Sequence, residues 1–360
     1  MQLSDFTFDL PDELIAQEPP PVRGESRLMV LRRDGTASEH TTFSRLGEYL
    51  RRGDLLVLNN TKVFPARLLG RRVPSGGAVE GLLLRQIPNS KSQIPDSTPT
   101  GSEWEALVHP GQKLKPGAQV VFEGDDVRLH GEILARHFHG RRTVRLRAEG
   151  HEDVMAAVER IGHVPLPPYI TREDRPFDRE RYQTVFAKSS GSIAAPTAGL
   201  HFTSDVLARL ASQGVERTEV TLHVGYGTFK PIRTGRIDDH EVDPERYIVT
   251  PDAAAALTRA RADGRRIVAV GTTSVRVLES LAWGPAGRIE ASSGETHLFI
   301  RPGHEFRLVD ALLTNFHLPR SSLLVLVAAL AGRTRLLEAY RDAVARQYRF
   351  YSYGDAMLIV

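Results

Sequence analysis

The sequence contains no cysteine among its 360 residues, which excludes disulfides, thiol catalysis, iron–sulfur clusters and cysteine-ligated zinc. It also lacks an apolar run of the roughly 18–20 residues that a membrane-spanning helix requires, since its most apolar stretch, residues 323–331, is far shorter. None of the 13 histidines stands in an H-E-x-x-H zinc motif. We therefore expect a cytoplasmic protein with no membrane segment. The pair His137-Phe-His139 is a weak metal signal among several arginines, and we expect no metal site there.

Two motifs of nucleotide-binding proteins are missing as well. There is no G-x-x-x-x-G-K-[ST] loop, so phosphoryl transfer from ATP has no support. Gly225 and Gly227 lie close together, but the second glycine leads into Phe229-Lys-Pro instead of a helix. We therefore reject a dinucleotide-binding fingerprint at this loop.

The positive charge of the chain is concentrated in one segment. The formal net charge is only +3, and the whole excess lies between Lys62 and Asp153. Within that segment, residues 136–147 contain no acidic residue and five arginines, namely Arg136, Arg141, Arg142, Arg145 and Arg147. Such a run can contact nucleic-acid phosphates, although an exposed strand with solvated charges would have the same composition.

Two different sequence patterns divide the chain. Between residues 63 and 150, short β-rich runs are separated by Gly, Pro and charged turns, which is typical of an antiparallel barrel or sandwich. From residue 151 onward, helical and extended patterns alternate, as in α/β proteins. The sequence therefore predicts an α/β domain formed by residues 1–62 and 151–360, interrupted by an inserted antiparallel β-barrel domain at 63–150. Residues 86–102 are expected to form a flexible loop within that insertion.

Three apolar runs in the second half of the chain end in loops of small and polar residues. The runs occupy residues 220–230, 267–276 and 311–319. Because ligands of open α/β sheets bind at the carboxyl ends of the strands, these loops are expected to form one binding site. A further loop at 194–203 is rich in small residues, and an aromatic tail at 347–357 could stack on bases or cover the core.

These loops supply the candidate site residues. Three hydroxyl residues follow Gly271 at a predicted helix start, where free N–H groups attract anions; a simple N-cap is the alternative. An arginine one turn later could capture a carboxylate or form an exposed salt bridge. A single histidine is usually structural, but several in such loops suggest acid–base chemistry. The candidates are Thr197, Gly199, His201, His223, Gly225, Gly227, Thr228, Gly271, Thr272, Thr273, Ser274, Arg276, Asn315, His317 and Asp355.

Seven sequence blocks together indicate a family. They are Leu58-Asn-Asn-Thr-Lys-Val, Pro65-Ala-Arg-Leu, Gly162-His-Val-Pro-Leu-Pro-Pro-Tyr-Ile, Ala195-Pro-Thr-Ala-Gly-Leu-His-Phe, Leu222-His-Val-Gly-Tyr-Gly-Thr-Phe, Gly271-Thr-Thr-Ser-Val-Arg and Thr314-Asn-Phe-His-Leu-Pro. In this order over nearly the whole chain, they resemble the S-adenosylmethionine:tRNA ribosyltransferase-isomerases of queuosine biosynthesis. One departure is His240-Glu-Val-Asp-Pro-Glu245, where the family often has a second histidine, while His240 and Glu245 still match.

The resemblance implies a reaction and its partners. The ribosyl part of S-adenosylmethionine moves to the aminomethyl group of 7-aminomethyl-7-deazaguanine in a tRNA anticodon loop and becomes an epoxycyclopentanediol, and adenine and methionine leave. S-adenosylmethionine is therefore a consumed substrate and not a cofactor. We expect the enzyme to act as a monomer.

This chemistry suggests roles for the candidates. The base that removes the C5′ proton, which the sulfonium acidifies, would be His201 or His223. His317 is the next candidate for this role. The ribose or the methionine carboxylate would be held by Thr272, Thr273, Ser274 and Arg276. Asp310 or Asp355 would face the sulfonium or the substrate amine. The five arginines of residues 136–147 would contact tRNA.

Two other functions fit parts of the sequence. An RNA methyltransferase also consumes S-adenosylmethionine, but it would need a convincing glycine loop near the start of an α/β unit, and none is found. A non-enzymatic RNA-binding module explains the arginines but not the polar loops elsewhere. Release of adenine would exclude the methyltransferase, and tRNA binding without consumption of S-adenosylmethionine would favour the binding module.

Overall fold

The structure, a computed structural model, describes residues 1–88, 101–151, 153–284 and 287–360. Most of the predicted loop at 86–102 lies outside the described residues. The strands, in chain order, are β1 Arg27–Leu31, β2 Glu39–Thr42, β3 Leu55–Asn59, β4 Thr61–Val63, β5 Arg67–Val73, β6 Ala78–Ile87, β7 Ser102–His109, β8 Gln119–Gly124, β9 Val127–Arg136, β10 Arg141–Ala148, β11 Ser189–Ser192, β12 Glu216–Leu222, β13 Glu245–Val249, β14 Ile267–Val270, β15 Ser292–Thr296, β16 Ala311–Asn315 and β17 Ala356–Ile359.

The α-helices lie mainly in the second half of the chain. In chain order they are α1 Val154–Ile161, α2 Asp178–Arg181, α3 Ser204–Ser212, α4 Pro251–Ala262, α5 Thr272–Ser280, α6 Ser322–Ala331 and α7 Arg333–Ala345. Hydroxyl side chains of Thr203, Thr250 and Ser321 cap the starts of α3, α4 and α6 by accepting backbone N–H groups. Within the described part of the chain, no helix is long and apolar enough to cross a membrane.

The chain divides into two compact units. One consists of Met1–Lys62, Pro167–Arg172 and Glu180–Val360, and the other of Val63–Leu166 and Glu173–Arg179. The sequence placed the end of the insertion at residue 150, whereas the second unit continues through Leu166 and takes in a short later segment. The extension includes α1, whose Val154, Ala157 and Val158 are buried and which packs against β8, β9 and β10.

The second unit contains the predicted antiparallel barrel. In the described residues it is a closed barrel of six strands in the order β10-β7-β6-β5-β8-β9. Burial alternates along its strands, as the period of two requires: on β9, Val127, Leu129 and Ile133 are buried, and Arg128 and His130 are exposed. An α/β unit with an inserted antiparallel barrel is therefore confirmed.

The first unit is built on a mixed sheet with apolar layers on both faces. Nine described strands run in the order β15-β13-β12-β3-β14-β16-β17-β1-β2. The four central strands β12, β3, β14 and β16 are parallel. All five residues of β3 are buried; Leu55 and Val57 join one core cluster, and Leu56 and Leu58 join the other. Continuous apolar runs in these strands follow from burial on both faces.

Candidate active site

The carboxyl ends of the central parallel strands lead into one cleft in the first unit. Its described lining comprises Tyr169, Ala194, Ala195, Pro196, Thr197, Ala198, Val224, Thr228, Gly271, Thr272, Thr273, Thr314, Asn315, His317, Leu323, Tyr351 and Ser352. The room for water-sized molecules inside is about 50 Å³, and the space out to the open mouth is about 540 Å³. The smaller value lies below the roughly 300–1,000 Å³ typical of small-molecule sites, so an elongated ligand would extend through the mouth.

The start of α5 forms one wall of the cleft. Gly271 precedes the helix with φ of 84°, a left-handed conformation that favours glycine. No hydroxyl caps the helix, so the capping alternative is wrong here. Instead, Thr273 Oγ1 accepts a hydrogen bond from Asn59 Nδ2 at 3.2 Å. The Thr273 hydroxyl proton and the first helical N–H groups are therefore available to a ligand.

Asn59, at the carboxyl end of β3, holds the Thr273 side chain in place. Its Oδ1 accepts the N–H groups of Thr61 and Leu222, and its Nδ2 donates to the Leu222 carbonyl as well as to Thr273. Every hydrogen-bonding direction of this buried amide is thus occupied. The sequence placed Asn59 in a family block but assigned it no role.

Of the three candidate histidines, His317 lines the cleft. Its Nε2 lies 2.9 Å from Thr314 Oγ1, and its Nδ1 has no partner among the described residues. Burial lowers the pKa of His317 to about 3, so the ring is neutral at pH 7. A neutral imidazole can accept a proton or a hydrogen bond.

His201 and His223 lie outside the described lining. The ring of His201 is 5% exposed, and both of its nitrogens are engaged, Nδ1 with Ser26 Oγ at 2.7 Å and Nε2 with Asn315 Nδ2 at 3.2 Å. Burial lowers its pKa to about 4. His223 is half-buried, with Nδ1 2.9 Å from Thr61 Oγ1, and burial followed by the charge of Arg246 lowers its pKa. The acid–base roles predicted for these two histidines from the sequence stay predictions.

The two candidate carboxylates also lie outside the cleft lining. Asp310 precedes β16 and accepts the Ile267 N–H at 2.8 Å, so it stands at the opposite end of a strand whose length separates it from Asn315 by roughly 16 Å. Asp355 is 5% exposed. Its oxygens accept the Arg27 N–H at 2.9 Å and the Arg349 N–H at 2.8 Å, and they pair with the Arg27 guanidinium. Both carboxylates are thus engaged by groups of the protein itself.

Arg276 is buried in an ion pair with Glu245 and donates further hydrogen bonds to the Thr296 and Leu298 carbonyls. It is therefore not free to capture a ligand carboxylate, and it does not form the exposed salt bridge that was its alternative. Glu245 Oε1 also accepts the Gly225 N–H and the Thr228 hydroxyl, each at 2.9 Å. This ion pair therefore holds the 225–228 loop, and with it the Thr228 wall of the cleft.

Gly199, Gly227 and Ser274 make close contacts or hydrogen bonds inside the protein. A Cβ on Gly199 would lie 2.7 Å from Thr184 Cγ2, and one on Gly227 would lie 2.7 Å from Asp243 Cβ, so close contacts inside the protein account for both. The Ser274 hydroxyl donates to the Val270 carbonyl at 2.7 Å within the helix. The structure thus places Thr197, Thr228, Gly271, Thr272, Thr273, Asn315 and His317 together at the cleft, and it places Gly199, Gly225, Gly227, Ser274 and Arg276 outside its lining.

Two tyrosines line the cleft without having been assigned to it from the sequence. The rings of Tyr169 and Tyr351 meet edge to face with centroids 3.7 Å apart, and the Tyr169 hydroxyl is hydrogen-bonded to Ser352. Tyr169 lies in a quoted proline-rich block and Tyr351 in the aromatic tail, so the signal was present. Among the described lining residues there is no Asp or Glu, which leaves these rings as the groups that can attract a cation.

The five arginines of the insertion occupy different environments. Arg142 is 1% exposed and donates to the Gly111, Leu114 and Arg141 carbonyls. It points to the opposite face of β10 from Arg141, Arg145 and Arg147, and it cannot contact tRNA as predicted. Arg141 pairs with Glu105 at 2.8 Å and Arg145 with Glu103 at 2.9 Å. The side chains of Arg136 and Arg147 are exposed.

No group of three or more His, Asp or Glu side chains that could hold a metal ion occurs within the described ranges. The side chain of His139, part of the weak metal signal at His137-Phe-His139, lies outside the described residues.

Comparison with known proteins gives the same family along the whole chain. The chain matches the family described as "Queuosine biosynthesis protein" over residues 3–359. It is 54% identical to the S-adenosylmethionine:tRNA ribosyltransferase-isomerase of Anaeromyxobacter sp. (strain Fw109-5), covering 100% of this chain and 99% of that protein. It is 48% identical to the protein of the same name from Desulfitobacterium hafniense, with 100% of each chain covered. A crystal structure of S-adenosylmethionine tRNA ribosyltransferase from Thermotoga maritima has a TM-score of 0.54 at 40% identity, covering 99% of this chain and 100% of that one.

Proposed function

The chain belongs to the queuosine biosynthesis family of S-adenosylmethionine:tRNA ribosyltransferase-isomerases, and we propose that the cleft at the carboxyl ends of β12, β3, β14 and β16 is its active site. The enzyme transfers and isomerises the ribosyl moiety of S-adenosylmethionine onto 7-aminomethyl-7-deazaguanine in tRNA, with release of adenine and methionine. The observation that carries this function is the full-length similarity, because residues 3–359 include every described residue of the cleft. We also propose a cytoplasmic location, which a tRNA substrate supports.

We assign the binding of S-adenosylmethionine to complementary parts of the cleft. The Thr273 hydroxyl and the free N–H groups at the start of α5 suit the ribose oxygens or the methionine carboxylate. The rings of Tyr169 and Tyr351 can face the sulfonium, since cations are attracted to π faces. These groups replace Arg276, Asp310 and Asp355 in the assignment made from the sequence.

His317 is the acid–base candidate in this assignment. The sulfonium acidifies the C5′ methylene, and a base must take a proton from that carbon before the ribosyl group rearranges. Adenine also leaves more readily when a ring nitrogen is protonated. His317 lines the cleft and is unprotonated at pH 7, so its ring is available to accept the proton. Because burial lowers its pKa, the protonated ring is a strong acid that returns the proton readily to the leaving base.

The reaction is tested by the products formed from S-adenosylmethionine. The chain is incubated with S-adenosylmethionine and an anticodon stem-loop that carries 7-aminomethyl-7-deazaguanine, and the small molecules are separated by chromatography. We expect adenine and methionine in equal amounts. S-adenosylhomocysteine instead of adenine would indicate a methyltransferase, and binding of the RNA without consumption of S-adenosylmethionine would indicate a binding module.

We propose that the tip of the β9–β10 hairpin contacts the tRNA. Phe138 at this tip is 88% exposed, and an exposed aromatic ring can stack on an unpaired base. Arg136 at the end of β9 is exposed and can neutralise a phosphate. These two residues are stronger candidates than Arg141 and Arg145, whose charges are offset by Glu105 and Glu103.

The hairpin assignment makes a prediction about tRNA alone. Phe138→Ala is expected to raise the KM for the stem-loop about tenfold, with the KM for S-adenosylmethionine unchanged. Arg136→Ala should lower the slope of log affinity against log salt by about one. Arg71→Ala is the matched control, because Arg71 is an exposed barrel arginine paired with Glu123. Equal RNA affinity and equal salt slopes for all three variants would remove the hairpin from the interface.

A further inference from the structure

A buried row of polar side chains runs from Ser26 through His201 to Asn315. Ser26 Oγ lies 2.7 Å from His201 Nδ1, and His201 Nε2 lies 3.2 Å from Asn315 Nδ2. All three residues are at most 5% exposed. Of the three, only Asn315 belongs to the described lining of the cleft. The row therefore connects buried side chains to a residue of the cleft lining.

The backbone carbonyl of Tyr351 determines which atom donates and which accepts in each of these hydrogen bonds. Asn315 Nδ2 lies 3.0 Å from the Tyr351 carbonyl oxygen, which can only accept, so this end of the amide must be the NH₂ group. The same NH₂ donates to His201 Nε2. His201 Nδ1 then carries the proton and donates to Ser26 Oγ. The ring is held as one neutral tautomer, consistent with a pKa that burial lowers to about 4.

The other end of the amide is left without a partner. Asn315 Oδ1 is buried and accepts no hydrogen bond within the described residues. Because the NH₂ group is committed to two acceptors, the amide cannot exchange its two ends to relieve this. Buried acceptors in native proteins are almost always satisfied, and Asn315 lines a cleft in which a ligand could supply the missing donor.

We propose that Asn315 Oδ1 accepts a hydrogen bond from an N–H or O–H group of the adenosine part of S-adenosylmethionine, and that His201 is a positioning residue that holds the amide in this orientation. The inference rests on the proposed function, since it concerns the ligand of the same cleft. In this proposal, His201 needs no proton transfer. The proposal also gives His201, which lies outside the cleft, a function through its contact with Asn315 in the Thr314-Asn-Phe-His317 segment.

Ligand analogues identify the group that Asn315 binds. The dissociation constants of the full chain are measured by titration calorimetry for S-adenosylmethionine, for an analogue with oxygen in place of the adenine amino group, and for a 3′-deoxyribose analogue. We expect one analogue to bind the wild-type chain about tenfold more weakly. That analogue should bind Asn315→Ala as tightly as S-adenosylmethionine does, and its identity distinguishes the base from the sugar.

A double-mutant cycle tests the role of His201. His201→Leu should weaken binding of S-adenosylmethionine severalfold in the wild-type background and should have no further effect in Asn315→Ala. His201→Gln, which can still accept from Asn315 and donate to Ser26, should preserve binding and kcat from pH 6 to 9. If His201→Leu does not fold, His201→Gln still tests the role of His201, and the analogue titrations of the wild-type chain still test the Asn315 contact.

The outcomes separate this inference from the function on which it rests. If Asn315→Ala binds S-adenosylmethionine and both analogues like the wild-type chain, the Asn315 contact is wrong while the function stands. A drop of a hundredfold or more in kcat for His201→Gln, with binding unchanged, would make His201 an acid–base residue and overturn its positioning role. If the wild-type chain binds no S-adenosylmethionine and releases no adenine, both the function and the inference fail.

Discussion

Replacing Glu245 with alanine is expected to lower the free energy of unfolding by about 3–5 kcal/mol, because the change leaves Arg276 buried without its counter-charge. The Glu245 side chain is 3% exposed and that of Arg276 is 11% exposed, so water cannot replace the lost carboxylate. The change also removes the acceptor for the Gly225 N–H and the Thr228 hydroxyl. Urea unfolding followed by circular dichroism measures the loss.

An exposed ion pair on the neighbouring strand provides the control. Glu295 on β15 lies opposite Arg246 with their closest charged atoms 3.6 Å apart, and both side chains are exposed. Glu295→Ala should change the free energy of unfolding by less than about 1 kcal/mol. If Glu245→Ala were as stable as Glu295→Ala, the Arg276–Glu245 pair would not be the buried support of the 225–228 loop described above.

Replacing His317 with asparagine is expected to reduce kcat by roughly a hundredfold to ten-thousandfold, the usual contribution of a positioned acid–base group. Since burial lowers the pKa of His317 to about 3, its ring stays unprotonated as the pH falls from 9 to 5. The rate of the wild-type enzyme should therefore show no loss from this group across that range. Exchange of the C5′ hydrogens of S-adenosylmethionine with deuterated water reports the proton transfer directly.

His223→Asn is the matched control for this variant. His223 also follows a central strand, but it lies outside the described lining of the cleft, so its replacement should alter C5′ exchange by no more than a few-fold. If His223→Asn abolished exchange and His317→Asn retained it, the acid–base role would belong to His223 and the assignment of His317 would be wrong.

The architecture could be predicted because each unit leaves a periodic signal in the sequence. Alternation with a period of two identifies the barrel strands, and continuous apolar runs such as β14 identify strands buried on both faces. The meeting of the loops after β14 and β16 in one cleft followed from the rule for carboxyl ends of parallel strands. The same rule could have excluded Asp310, which precedes β16 instead of following it.

The errors among the site residues arise mostly from partners that are distant in sequence. Arg276 is only one turn into α5, where an arginine could face a ligand, but its carboxylate partner lies 31 residues earlier. Asp355 meets Arg27, from the other end of the chain. For Arg142 the signal was local, since strand alternation alone sends it to the opposite face from Arg141 and Arg145.

The measurement that tests the location of the active site most directly is amide hydrogen–deuterium exchange with and without S-adenosylmethionine. The account predicts slower exchange in peptides that cover residues 194–198, 271–275 and 314–318, with no change in the barrel strands β5 to β10. Slower exchange elsewhere, with these three segments unchanged, would contradict the assignment of the cleft as the site where S-adenosylmethionine binds.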